Sequence, residues 1–200
     1  MNIPNKLTVL RVILVPIFIL VAYIGIPGAI LGISNTFLVM NIIFIIASIT
    51  DKLDGSIARK HNLVTDFGKF LDPIADKILV LSALIMLVEF GKIPAWIPII
   101  VLFREFLVSG YRLVATQSSG KVIAANIWGK VKTVTQMIAI ILMFIDQYNF
   151  FDFIAKHGEM NVFAIILNAA SSILMFVSVI ATIFSGWNYL KGGKDLLKDA

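Results

Sequence analysis

Long apolar stretches alternate with short polar breaks along almost the whole chain. A helix that crosses a bilayer needs roughly 20 mostly apolar residues. Six stretches approach that length, at about 7–27, 36–59, 68–90, 94–117, 122–147 and 161–189. The breaks between them are too short to hold a separate domain. The pattern therefore predicts an all-α membrane protein, a bundle of six transmembrane helices forming one integral-membrane domain over residues 1–200. Pro94 fits a helix start. Pro16, Gly25 and Pro27 are expected to kink or end the first span. Arg11 interrupts the first apolar run and no A-x-A-like site follows it, so this run is expected to be a retained helix, not a cleaved signal.

Composition agrees with that pattern. The chain is 59% hydrophobic and 14% charged, whereas soluble domains carry about 45–50% apolar and about 25% charged residues. It holds no cysteine, which excludes disulfides and thiolate-bound metal. The net charge of +5 changes meaning once it is placed on the spans. Six spans put both termini on one side, and of the 17 basic residues all but Lys92 and Lys156 fall towards that side. The positive-inside rule makes it cytoplasmic. The expected location is the cytoplasmic membrane, multi-pass, and no nucleic-acid partner is expected.

One segment breaks the apolar pattern. "DKLDGSIARKHNLVTDFGKFLDPIADK" runs from Asp51 to Lys77 between two hydrophobic runs. Asp51 and Asp54 are spaced i, i+3 at the end of the second span, and Asp72 and Asp76 are spaced i, i+4 at the start of the third. Each pair shares a helix face. A short turn packs the two helices antiparallel, which brings the pairs to one depth. Four carboxylates in a partly desolvated place repel one another. A divalent cation relieves this, because hard cations take several oxygen ligands. An oxygen-only set suits Mg²⁺ and Mn²⁺ equally. Gly55 and Gly68 flank the turn, where a missing side chain lets a ligand approach the backbone. Asp66 stands where an N-cap is expected.

The spacing D-x2-D-G-x2-A-R-x8-G-x3-D-x3-D is matched without a gap by Asp51, Asp54, Gly55, Ala58, Arg59, Gly68, Asp72 and Asp76. This resembles the signature of the CDP-alcohol phosphatidyltransferases, six-helix membrane enzymes of phospholipid synthesis. The resemblance implies attack of a hydroxyl on the lipid-side phosphate of a CDP-linked lipid, CDP-diacylglycerol, with CMP leaving. It implies that Asp51, Asp54, Asp72 and Asp76 hold one or two divalent ions, Mg²⁺ or Mn²⁺, and that Asp76 is also the general base. Gly55, Ala58 and Gly68 would make room for the cytidine and Arg59 would assist nucleotide binding. The two roles of Asp76 compete, since a bound metal lowers a carboxylate's basicity.

The signature covers only the donor. For the acceptor, "FREFLVSGYR" places Arg104 beside Glu105 and Arg112 eight residues on, and "GKVKT" adds Lys130 and Lys132. Too few apolar residues precede Arg104 to span, so it is expected below the membrane surface, facing a polar cavity or paired with Glu105, where its planar fork of donors suits a phosphate. The segments "NIPNKLTVLR", "REF" and "GKVKT" resemble family members whose acceptor is glycerol 3-phosphate. That likeness implies Arg104, Arg112 and Lys130 around the acceptor phosphate, and Asn5 and Thr8, with Pro4 and Arg11, near the diphosphate. Inositol phosphate, serine and phosphatidylglycerol are the alternative acceptors within the family. A small cation transporter is the alternative outside it, but it predicts carboxylates scattered through the bilayer depth. Family members are homodimers, so a homodimer, with helices 3 and 4 as its surface, is implied as well.

Overall fold

The computed structural model describes residues 3–60, 66–119 and 127–192. Within these, the side chains of residues 3–5, 51–60, 66–70, 72–73, 113–119, 157 and 192 are outside the description. Seven α-helices occur among the described residues: α1 (Ile3–Ile24), α2 (Asn35–Lys60), α3 (Asp66–Glu89), α4 (Trp96–Ser119), α5 (Ile127–Ile145), the short α6 (Asp152–Ala155) and α7 (Val162–Gly192). A small antiparallel hairpin, β1 (Ala29–Ile30) and β2 (Ile33–Ser34), joins α1 to α2. The apolar periodicity did not announce it.

The helix ends follow local chemistry. The first helix runs through Pro16 and stops at Ile24, where Gly25 takes φ +71°, a value that favours glycine. Pro94 lies two residues ahead of α4, and its carbonyl accepts from the Ile97 amide. Asp66 occupies the first residue of α3. Among the described residues, three helices are long and apolar enough to cross a membrane, within Lys6–Ile24, Ile127–Ile145 and Val162–Lys191. The charged residues that α2, α3 and α4 carry dilute their apolar lengths.

The six long helices neighbour one another in the order α1, α2, α5, α7, α4, α3, with α5 on α7 and α1 on α2 as the most extensive pairings. The core is apolar and aromatic. Phe18, Met40, Phe44, Leu84, Leu87, Ile97, Ile140, Phe144 and Met175 are all fully buried. Phe18 meets Phe144 edge-on at 5.8 Å between ring centroids, a favourable aromatic geometry. The outer faces expose Ile13, Leu20, Ile46, Ile85, Ile99, Phe106, Ile166 and Phe184. Apolar side chains around the whole circumference are what a bilayer solvates.

One end is closed by a polar network. The Asp146 carboxylate, after the last residue of α5, accepts from Asn168 Nδ2 (2.8 Å), Ser171 Oγ (2.8 Å) and the Tyr148 amide (3.0 Å). Lys92, in the α3–α4 turn, donates to the Asp146 and Tyr148 carbonyls at 2.7 and 3.2 Å. Its ammonium also lies 5.6 Å from the centre of the Phe37 ring. The α3–α4 and α5–α6 connections are thereby fixed to α7, so the rest of the bundle is held from this end.

Candidate active site

The opposite end carries the charges picked out by their spacing. Asp51 and Asp54 belong to the last turns of α2 and Asp72 and Asp76 to the first turns of α3, and these two helices contact each other. The side chains of Asp51, Asp54, Gly55, Ala58, Arg59, Gly68 and Asp72 lie outside the described residues, as does that of Asn5. Among the described residues no cluster of three metal-ligating side chains occurs. The donor set the helices bring to this end is carboxylate oxygen, which fits a hard divalent ion.

Asp76 is half-buried and lines a cavity of about 30 Å³. Space of that size takes about two waters. Lys77, Glu105, Lys132, Thr133 and Gln136 share its wall, so α3, α4 and α5 meet here through polar groups. Lys77 is anchored on the Ser109 hydroxyl of α4.

Glu105 is the centre of the arrangement. Its Oε1 accepts from Arg104 Nη1 at 2.9 Å and from Lys132 Nζ at 2.8 Å. All three side chains are largely removed from solvent, at 12% (Arg104), 14% (Glu105) and 8% (Lys132) exposure. Two cations and one carboxylate leave one positive charge uncompensated within the triad. Lys132 therefore turns inward, whereas Lys130, on the other face of α5, is exposed.

The arginines of α4 are held by α7. Arg104 Nη2 donates to Ser185 Oγ, and Arg112 Nη2 donates to Tyr189 Oη at 2.6 Å. Ser185 and Tyr189 are spaced i, i+4, so one face of α7 carries both acceptors. Glycine makes room at this point. A Cβ on Gly129 would stand 3.2 Å from Arg104 Nη2, and one on Gly186 3.6 Å from Arg104 Cγ. On its outer side Arg104 reaches an apolar groove of about 410 Å³ between α4 and α7, lined also by Phe103, Thr182, Gly186 and Trp187. Thr8 and Arg11 are buried on α1.

Comparison with known proteins settles the family. The CDP-alcohol phosphatidyltransferase profile matches residues 1–184. The chain belongs to that family. Its relatives include a Bacillus subtilis protein 41% identical over 98% of this chain and 97% of its own, and a Haemophilus influenzae protein 37% identical over 99% and 96%. Both are named CDP-diacylglycerol–glycerol-3-phosphate 3-phosphatidyltransferase. A Mycobacterium tuberculosis relative, 37% identical over 88% of this chain and 78% of its own, is named a probable phosphatidylglycerophosphate synthase. As a member of the family the chain is a phosphatidyltransferase.

The sharing of Glu105 between Arg104 and Lys132 escaped the spacing argument, as did two partners on α7, Ser185 and Tyr189. A signal for the last two was present. Along apolar α7, Asn168, Ser171, Ser178, Thr182, Ser185 and Tyr189 recur every three to seven residues, and all are buried. A helix that hides its hydroxyls on one face has donors waiting on its neighbours.

Proposed function

We propose that this phosphatidyltransferase moves the phosphatidyl group of CDP-diacylglycerol to glycerol 3-phosphate, giving phosphatidylglycerophosphate and CMP. The observation that carries this reading is the near-full-length likeness to relatives of that name, 41% identical in the Bacillus subtilis case. The buried Lys132, which shares a cavity wall with Asp76, supports it, since an acceptor that itself carries phosphate needs positive charge near the reacting hydroxyl.

In the reaction the acceptor hydroxyl oxygen forms a bond to the lipid-side phosphorus as the bond from that phosphorus to the CMP oxygen breaks. The hydroxyl proton passes to Asp76. Asp51, Asp54, Asp72 and Asp76 would hold one or two Mg²⁺ or Mn²⁺ ions. When bound, the metal offsets the diphosphate's charge, polarises the attacked phosphorus and stabilises the departing CMP. Positioning and electrostatics supply most of the catalysis in phosphoryl transfer. Gly55, Ala58 and Gly68 make room for the cytidine, Arg59 assists nucleotide binding, and Asn5 and Thr8 line the diphosphate's approach. Arg104 and Arg112, with their guanidinium groups oriented by α7, bind the acceptor phosphate. Lys130, exposed at the start of α5, adds charge at the mouth.

The bundle crosses the cytoplasmic membrane six times, with both termini and the active site at the cytoplasmic face, and works as a homodimer. The positive-inside distribution of the basic residues supports the orientation. Purified protein is tested for CMP release from CDP-diacylglycerol with Mg²⁺ or Mn²⁺, and glycerol 3-phosphate, inositol phosphate, serine and phosphatidylglycerol are supplied separately. Release with glycerol 3-phosphate alone, and none after chelation, is the expected result. Release with a different acceptor only would overturn the acceptor assignment and leave the phosphatidyl transfer standing.

A further inference from the structure

We infer that Lys132 is a cation of the acceptor site, the one that faces Asp76, and that Glu105 is the positioning residue that pins it there. The inference rests on the proposed use of Arg104 for the acceptor phosphate.

Three observations converge. Lys132 and Arg104 come from different helices, α5 and α4, yet donate to the same Glu105 oxygen at 2.8 and 2.9 Å. Lys132 and Asp76 line one cavity, whereas Arg104 lines the groove on the other side of α4. Glu105 thus ties the reacting side to the lipid-facing side. Finally, Gln136 also lines the cavity, is 1% exposed, and its Nε2 finds no acceptor among the described residues. Buried polar groups are normally satisfied. An amide donor with no acceptor among the described residues, beside the Lys132 ammonium, offers two donors to one phosphate oxygen, with Asp76 and Lys77 completing the same wall.

Glu105 resolves a conflict. Two buried cations a few ångströms apart repel, and a long lysine side chain is free to swing away. One carboxylate oxygen between them fixes their separation before substrate arrives, so binding need not order them. Charge alone predicts the opposite of this positioning role. Removing a carboxylate leaves the site more positive, which by itself would tighten phosphate binding.

The test is a double-mutant cycle with Glu105→Gln and Lys132→Met in purified protein, with KM measured separately for glycerol 3-phosphate and for CDP-diacylglycerol. Each single variant is expected to raise the KM for glycerol 3-phosphate about tenfold, in line with loss of one hydrogen bond to a charged group, with the KM for the CDP-lipid within about twofold. The double variant is expected to lose clearly less than the product of the two single losses, because Glu105 acts in part through Lys132 and in part through Arg104. Glu105→Asp, which keeps the charge, is expected to recover part of the loss. An unchanged or lowered KM for glycerol 3-phosphate in Glu105→Gln, equal damage to both substrates, or additive losses would overturn the inference. If Glu105→Gln does not fold, Lys132→Met decides alone on the same split. Arg104→Ala run in parallel separates the levels. If it too leaves the KM for glycerol 3-phosphate unchanged, the underlying acceptor assignment fails, and if only Lys132→Met does so, this inference alone fails.

Discussion

Arg104 of α4 and Ser185 of α7 stand 81 residues apart in sequence and are joined by a hydrogen bond from the guanidinium Nη2 to the serine Oγ. That bond fixes one end of a guanidinium whose other end is held by Glu105. Ser185→Ala removes the acceptor without changing the shape of α7. A hydrogen bond to a charged group contributes about 1.5–3 kcal/mol, but Arg104 keeps its bond to Glu105, so the lower end applies. The KM for glycerol 3-phosphate should rise about tenfold. Initial rates at saturating CDP-diacylglycerol measure it, and a change confined to the CDP-lipid would contradict the orientation role.

Gly129 offers a sharper version of the same point. Its missing side chain leaves Arg104 Nη2 room, and an added Cβ would sit 3.2 Å from it. Gly129 is inside α5, where alanine is favoured over glycine by about 1 kcal/mol. Gly129→Ala should therefore keep or raise the melting temperature while it displaces the guanidinium by a few tenths of an ångström. The expected result is a protein at least as stable with a severalfold higher KM for glycerol 3-phosphate. Thermal unfolding in detergent and steady-state kinetics on one preparation read both halves.

The aspartates carry the donor half of the proposal. Asp72→Asn keeps the volume and removes the charge that would hold the metal. Turnover should fall at least about a hundredfold, since electrostatic stabilisation of the diphosphate is the main catalytic contribution. The protein should stay folded, as judged by its elution from a sizing column and its melting temperature. Chelation of the wild type should abolish CMP release, and added Mg²⁺ or Mn²⁺ should restore it. Full activity of purified Asp72→Asn would remove this residue from the site.

Much of this protein was legible in its sequence, and what was not has a common physical cause. The long helices follow from runs of apolar residues, and the spacing puts Asp51 and Asp54 on α2 and Asp72 and Asp76 on α3, two helices in contact, though the side chains of Asp51, Asp54 and Asp72 lie outside the described residues. Both are local facts. Arg104 was read as buried because too little apolar chain precedes it, and its side chain is 12% exposed. What spacing could not supply was the pairing of α4 with α7 and α5, because nothing near Arg104 in sequence points to Ser185 or Lys132. Lys130 and Lys132 look alike in "GKVKT", yet two residues is about 200° around a helix, and only Lys132 faces inward. The β1–β2 hairpin was missed because two-residue strands carry no periodicity to read.

The far end of the bundle gives a prediction about stability with no catalytic component. Asp146 is 2% exposed and accepts three hydrogen bonds. Asp146→Ala removes an acceptor from Asn168 and from Ser171, each of which keeps one backbone carbonyl, and should cost about 1–3 kcal/mol, measured as a lower melting temperature with kcat preserved. Lys92 adds a pH dependence. Burial lowers its pKa from the usual 10.5, and Asp146 and Asp152 only partly oppose this. Between the lowered value and 10.5 the unfolded chain binds more protons than the folded one, so stability rises with pH through that window. Lys92→Met removes the titration. The wild type should gain stability relative to Lys92→Met as pH rises from neutral towards about 10.5. Parallel melting curves for the two proteins across that range would contradict the assignment, since no other difference between them titrates there.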